Sequence, residues 1–221
     1  MTRIVAALTL MIVAVSGAAL LAAEPAPTKT QPATETKASD GLETATFSSG
    51  CFWCTESDFD KVKGVKETIS GFMGGTTKNP TYEEVSRGNT GHAETLQLKF
   101  DPKVVSYKQL LDYYWHHVDL LDGDGQFCDR GNQYRPVIFV HTPEQRKLAE
   151  ESKAAIDKSG RFDKPVAVQI VDASAFTPAE AYHQNYHETH PLKYRYYRYA
   201  CGRDARIKQL WGDEMGEVAT H

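Results

Sequence analysis

Residues 93–100, AETLQLKF, alternate with a period of two: Leu96, Leu98 and Phe100 fall on one side, Thr95, Gln97 and Lys99 on the other. An extended chain puts residues i, i+2 and i+4 on a common face, so this segment is predicted to be a half-buried strand. The neighbouring segment 106–118, SYKQLLDYYWHHV, follows the helical period instead. Leu110, Leu111, Tyr114, Trp115 and Val118 form one stripe, and Ser106 with Gln109 makes a capping box at its start. A strand with one apolar face beside a helix with one apolar stripe has to pack in layers around a shared core. Helix starts are also signalled at Thr142-Pro143-Glu144-Gln145 and at Thr177-Pro178-Ala179-Glu180. In each, a Thr caps, a Pro takes the first helical position, and a Gln or Glu stands three after the cap. Further strands are predicted over 43–48, 65–72, 136–141 and 166–171. The interleaving predicts an α+β fold, a two-layer sandwich of a mixed sheet with helices, of the split βαβ or ferredoxin-like plait type. No internal repeat is visible.

Only part of the chain carries such patterning. After Met1-Thr2-Arg3, residues 4–23 are uncharged and end on Ala22-Ala23. A basic start, an apolar run and small residues at its end read as a secretory signal peptide over 1–23. The run is also long enough, at about 20 residues, to stay as a membrane anchor. Either reading places the rest outside the cytoplasm, in the periplasm or another extracytoplasmic space. A buried N-terminal helix fits poorly, because nothing polar alternates with the apolar residues. Residues 24–41, EPAPTKTQPATETKASDG, contain three prolines and no aromatic, and cannot bury enough apolar area to offset their ordering entropy. They are expected to form a flexible linker to a domain over 42–212, with 213–221 as a flexible tail. A net charge of −4 over 221 residues gives no general pull toward nucleic acid or acidic lipid, so a small-molecule or protein-borne substrate is expected.

Chemistry concentrates around residues 50–56, GCFWCTE. Cys51 follows a predicted strand and a Ser49-Gly50 turn and precedes a predicted helix from Phe52 to about Val62. A helix N-terminus favours thiolate, the nucleophilic form of the side chain. By the alternation of 93–100, Glu94 shares the inward face of Leu96, although as the start of the strand it could equally reach out at the sheet end. An enclosed carboxyl keeps its proton near neutral pH and can act as a general acid. Such a thiol and acid suit reduction or acyl transfer. Asp129 and Tyr134 stand in a polar, glycine-bearing loop that feeds an apolar strand, and Tyr82 in another turn-rich loop; such loops often carry sites. Each of these tyrosines taken alone reads as packing.

Other readings use the same residues. A zinc site would need a second cysteine pair, and His183 with His187 lacks the glutamate of a metalloprotease helix. The run YRYYRYACGR at 194–203 mixes Arg with Tyr and could stack on bases, but in an acidic domain it is expected to be surface Arg–Tyr packing. A thioredoxin-like thiol-disulfide oxidoreductase also uses paired cysteines at a helix start. The βαβ unit that fold needs before the motif is missing. A non-catalytic exported binding module with structural cysteines is a further alternative.

GCFW (50–53), GGTTKNPTYEEV (74–85), GHAE (91–94), GNQYR (131–135) and AEAYHQNY (179–186) occur here in one order. In these motifs the chain resembles the A-type peptide methionine sulfoxide reductases over about 43–200. The resemblance implies that Cys51 attacks the sulfoxide sulfur and Glu94 protonates the departing oxygen. Tyr82, Asp129 and Tyr134 would hold that oxygen and the acid, and Phe52 with Trp53 would box the methyl group. It further implies action on the S epimer at sulfur, free or in proteins, with no bound cofactor or metal, and recycling by a thioredoxin-type dithiol donor. Repair of oxidised exported proteins by a monomer is the expected role. Cys54 stands where most relatives have Gly, and the resolving pair many carry in a glycine-rich tail is missing. Cys54, Cys128 and Cys201 therefore compete to resolve the Cys51 sulfenic acid. Cys54 lies one turn away, and an oxidising compartment permits a structural Cys128–Cys201 bond that would leave Cys51 and Cys54 as the working couple.

Overall fold

A computed structural model describes residues 41–214. The predicted signal or anchor, nearly all of the linker, and residues 215–221 of the tail lie outside the described residues. In chain order the elements are β1 (Glu43–Ser48), α1 (Phe52–Phe59), β2 (Val65–Met73), α2 (Tyr82–Ser86), β3 (Ala93–Phe100), α3 (Tyr107–Trp115), β4 (Gly125–Gln126), β5 (Asp129–Arg130), β6 (Val137–Val140), α4 (Pro143–Lys158), β7 (Gln169–Asp172), β8 (Thr177–Pro178), α5 (Tyr186–Thr189), α6 (Pro191–Ala200) and α7 (Arg203–Trp211).

The main sheet has the order β7-β6-β1-β3-β2-β8. β3 runs antiparallel to both β1 and β2, so β1 and β2 are parallel with β3 inserted between them. β6 is antiparallel to β1, so β3 and β6 are likewise parallel around β1. Two split βαβ units thus interlock, with α1 and α3 as their crossover helices. This is the ferredoxin-like plait the patterning predicts, extended by β7, parallel to β6, and by β8 on the opposite edge. β4 and β5 form a separate small hairpin.

The alternation in β3 sorts its residues as predicted. Leu96, Leu98 and Phe100 join Ala45 and Phe47 of β1 in one core, which α3 covers with Leu110, Leu111 and Tyr114. Ala93, on the other face, packs with Met73, Val137 and Phe139. α3 starts on the expected capping box, Ser106 accepting from Gln109 N and Gln109 answering to Ser106 N. It ends at Trp115 rather than Val118, because His116 and His117 turn their Nδ1 atoms onto the carbonyls of Asp112 and Tyr113, 2.8 Å away in both cases.

Two predicted elements differ. The Thr177-Pro178 start does not open a helix. Thr177 and Pro178 instead pair with Phe72 and Gly71 on the edge of β2, a position where a missing N–H is harmless. Glu180, the expected partner of the cap, accepts from Tyr82 N at 3.0 Å. Gly71 permits the approach, since a Cβ there would stand 2.4 Å from the Phe176 ring and 2.5 Å from Thr177 O. The strand predicted over 166–171 begins only at Gln169. Before that, Val166 N and Ala167 N donate to Asp157 Oδ1 and Leu120 O, so this stretch is bonded to helix and loop rather than to the sheet.

Candidate active site

Gly50 turns the chain from β1 into α1 with φ at +87°, and a Cβ on it would meet Gln126 Cβ at 2.6 Å. A side chain is therefore excluded twice, by conformation and by space. The turn leaves Cys51 capping α1, with Phe52 as its first residue. Phe52 N donates to Glu94 Oε2 at 3.0 Å, which ties the start of α1 to the start of β3. Cys54 N donates to Cys51 O at 3.1 Å, so the motif closes a turn and puts the two thiols close enough to shift each other's ionisation. Both sulfurs are unbonded and both residues are buried.

Every residue proposed for substrate or acid duty lines one small cavity of about 70 Å³: Cys51, Phe52, Trp53, Tyr82, Glu94, Asp129 and Tyr134. Tyr82 arrives as the first residue of α2, where Thr81 and Glu84 form a capping box. Asp129 sits at the start of β5, just past the two-residue hairpin turn Phe127-Cys128. Tyr134 ends a short 3-10 turn. The Phe52 ring packs on Phe72, Tyr82 and His183, with centroids 5.9, 6.3 and 5.0 Å away. Trp53 donates its indole N–H to His183 Nδ1 at 3.0 Å and stacks on Tyr186 at 3.8 Å. The AEAYHQNY segment therefore braces the aromatic wall from outside.

Burial dominates the electrostatics. It pushes the Glu94 carboxyl up to about 8, against the opposing Phe52 N–H and with help from the nearby Asp129 carboxylate. Glu94 is therefore protonated at neutral pH, as its inward position implies. Burial also raises the phenols of Tyr82, to about 12, and of Tyr134, keeping both as hydrogen-bond donors. Cys51 departs from expectation. Burial pushes its thiol well up, and the bond to Cys54 and the charges of Glu94 and Asp129 act in the same direction. The helix-start N–H expected to favour its thiolate is the one occupied by Glu94. Cys54 is instead lowered, first by the hydrogen bond from Cys51 and then, against burial, by Arg203 and Arg198.

Cys128 and Cys201 are joined in a disulfide, as the compartment argument allowed. With Asp129 they make up the one cluster of metal-ligand atoms among the described residues, and the bond occupies both sulfurs. One lining residue was missed. Tyr197 donates its hydroxyl to Asp129 Oδ2 and closes the cavity beside Trp53. It belongs to the run read as surface Arg–Tyr packing, and that reading fails because α6 turns Tyr194, Tyr197 and Arg198 inward. The signal was available: on a helix Tyr194, Tyr197 and Arg198 are three and four apart, one face, while Arg195, Tyr196 and Tyr199 fall outside it.

A thiol pair and a protonated carboxyl around one aromatic pocket define a thiol-dependent oxidoreductase site or an acyl-transfer site. Comparison with known proteins separates the two. The sequence model described as "Peptide methionine sulfoxide reductase" matches residues 43–215. The peptide methionine sulfoxide reductase MsrA of Bacillus licheniformis is 50% identical over 175 residues, covering 79% of this chain and 97% of that protein. MsrA/MsrB of Vibrio cholerae is 47% identical over 183 residues; the match takes 83% of this chain but spans only 48% of that longer protein. Among solved structures, Mxr1 of Saccharomyces cerevisiae in reduced form superposes with a TM-score of 0.63 at 29% identity, covering 68% of this chain and 87% of that one. Methionine sulfoxide reductase A of Corynebacterium diphtheriae gives 0.62 at 30% identity, over 70% and 78% of the two chains. The chain belongs to the peptide methionine sulfoxide reductase family, on its A-type branch.

Proposed function

We propose that the pocket reduces methionine-S-sulfoxide, free and in proteins, with Cys51 as nucleophile and Glu94 as acid. The observation that carries this reading is their meeting, with Glu94 protonated, in a cavity sized for a methyl sulfoxide end. A sulfoxide sulfur is a poor electrophile until its oxygen is protonated or hydrogen-bonded. Glu94 supplies that proton, and the Tyr82 and Tyr134 hydroxyls donate to the same oxygen. Asp129, held by Tyr197, completes the polar wall, and Phe52 with Trp53 faces the methyl group. The Cys51 sulfur attacks the sulfoxide sulfur and gives up its thiol proton, which restores Glu94. The oxygen then passes to Cys51 as the methionine S–O bond and the transient sulfur–sulfur bond both break. Methionine leaves reduced by two electrons, and Cys51 is left as sulfenic acid.

Cys54 then resolves the sulfenic acid, since Cys128 and Cys201 are already bonded to each other. A thioredoxin-type dithiol reopens the Cys51–Cys54 disulfide. The apolar start of the sequence supports work on oxidised exported proteins in the periplasm or a similar space. Treating the protein with excess methionine sulfoxide, without reductant, is expected to consume two thiols per chain and leave a 51–54 link by peptide mass spectrometry. A link from Cys51 to Cys128 or Cys201, or no thiol loss, overturns the assignment.

A further inference from the structure

Beneath α1 lies a group of buried charges that substrate chemistry leaves unused. Asp58 is one helical turn beyond Cys54 on the same face of α1. Its Oδ1 accepts from Arg198 Nη1 at 2.7 Å, and its Oδ2 stands 3.6 Å from Arg203 Nε. Arg203 is 2% exposed. Its guanidinium donates to Ser49 O at 2.9 Å, Ser49 Oγ at 3.0 Å and His117 O at 2.7 Å, and it stacks over the Phe127 ring at 4.5 Å. All three of those acceptors are neutral, and Arg203 Nε and Asp58 Oδ2 have no hydrogen-bond partner. Two guanidinium groups therefore face one buried carboxylate. Arg198 has a second acid, Asp204, at 2.6 Å. Arg203 shares Asp58 with Arg198 and has no second acid, so one buried carboxylate serves two guanidinium groups and a further buried anion would balance them.

We propose that Cys54, as thiolate, is that anion, and that Arg203 is a positioning residue that readies it to attack the Cys51 sulfenic acid. The inference rests on Cys54 being the resolving thiol. Geometry supports it on both sides of the motif. Arg203 grips Ser49 ahead of Cys51, Ser49 Oγ meets Thr55 Oγ1 at 2.8 Å, and Thr55 Oγ1 donates to Cys51 O at 3.3 Å. The arginine thus fixes the turn that sets the two sulfurs against each other. Besides Cys51 and Asp58, the titratable groups that act on Cys54 are Glu94 of β3 and Tyr194 and Tyr197 of α6. Burial holds Glu94 and both phenols neutral at pH 7, so Asp58 is the one competing negative charge, and Arg198, Arg203 and Lys61 all stand within ion-pair distance of it. The lowered Cys54 thiol agrees with this placement.

In the step itself a Cys54–Cys51 S–S bond forms and the Cys51 S–O bond breaks. Hydroxide leaves and takes up a proton to become water. The sulfenic sulfur is reduced as the Cys54 sulfur is oxidised, so no outside electrons are needed.

The test is single turnover with methionine sulfoxide in wild type, Arg203→Met, Arg203→Lys and Arg198→Gln, with methionine release and 51–54 disulfide closure timed separately. Losing an opposite charge at close range raises the thiol titration by ~1 to 3 pH units, partly offset by the greater nucleophilicity of the more basic sulfur. Closure in Arg203→Met is expected to slow about 3- to 30-fold more than methionine release does at pH 7. Arg203→Lys, which keeps the charge, should recover most of the loss. Thiolate absorbance against pH in a Cys51→Ser background reads Cys54 ionisation and should move to higher pH in Arg203→Met. Arg198→Gln keeps the idea testable if Arg203→Met fails to fold, and should show a smaller shift of the same sign. If wild type closes a 51–54 bond but closure rate and Cys54 titration are unchanged in the variants, the role of Arg203 is wrong. If wild type closes some other bond, the resolving assignment fails instead.

Discussion

The molecule carries two cysteine pairs, and they differ in almost everything but the element. Cys51 and Cys54 are three apart in sequence, buried and unbonded, at the start of a helix. Cys128 and Cys201 are 73 apart, bonded, and lie where a hairpin turn meets the end of α6, with Cys128 exposed. The first pair shares its surroundings with a protonated carboxyl, the buried Arg203 and the partly buried Arg198. The second has Asp129 beside it, but that carboxylate points its other oxygen at Tyr197. Closing the second pair joins the element bearing Asp129 to the helix bearing Tyr197. It therefore frames the cavity that Cys51 lines. Surroundings, more than spacing, divide the labour among four identical side chains.

The strongest way to break this contrast is to remove one sulfur from each pair. Cys51→Ser is expected to abolish sulfoxide reduction, measured as methionine formed. Cys128→Ser, assayed the same way, should still release methionine in a first turnover; a Cys51–Cys201 link found by peptide mass spectrometry after that turnover would show that the second pair does chemistry. Glu94→Gln comes next in size. Losing acid catalysis should slow sulfenic acid formation by about 10²–10⁴-fold, read by trapping the sulfenic acid with a dimedone-type probe. A near-normal rate would remove Glu94 from the working pocket.

Much of this division could be read from the residues alone. The period-two run of β3 put Glu94 on the face of Leu96, Leu98 and Phe100, while its enclosure rather than exposure at the sheet end came from tertiary packing. The Ser106–Gln109 cap and the Thr142–Pro143 start were legible because their partners are three residues away. The Thr177-Pro178 start used the same local grammar and misled. Its Glu180 finds the Tyr82 N–H, 98 residues distant, and such a rival partner leaves no mark in local sequence. The Cys51 thiol misled for a related reason: Glu94, 42 residues away, takes the helix-start N–H on which the expectation relied. Tyr197 and Arg203 were overlooked because a run rich in Tyr and Arg looks solvated until the helix phase is applied to it.

Smaller effects sharpen the contrast in stability rather than rate. Replacing both Cys128 and Cys201 with Ser opens a loop closed across 73 residues. It should cost about 2–4 kcal/mol in denaturant unfolding. The Cys51→Ala, Cys54→Ala protein has no bond to lose and adds no buried hydroxyl, so it should lose less stability than the other double variant. An equal loss in both would mean that the second pair is not the structural one.

The smallest effect separates the pairs by pH. Glu94 titrates at about 8 in the folded chain and near its ordinary 4.5 once unfolded. Between those values the folded state keeps a proton that the unfolded state has lost, so stability falls as pH rises through the window and levels off above 8. Glu56, raised by burial to about 7, adds a slope of the same sign but completes it sooner. Asp58 acts elsewhere: held down to about 2, it contributes stability above its ordinary 3.8 that is lost only as pH falls toward 2. The interval from pH 7 to 8 therefore belongs chiefly to Glu94 among the acids. Subtracting the Glu94→Gln stability curve from the wild-type curve should leave a decline continuing to about pH 8. The Cys128→Ser, Cys201→Ser curve should lie below wild type with that decline intact, since the carboxyl responsible sits in the other pair's pocket. A difference curve that is flat from pH 5 upward would mean that Glu94 is already ionised there, and the acid assigned to the working pair would be lost with it.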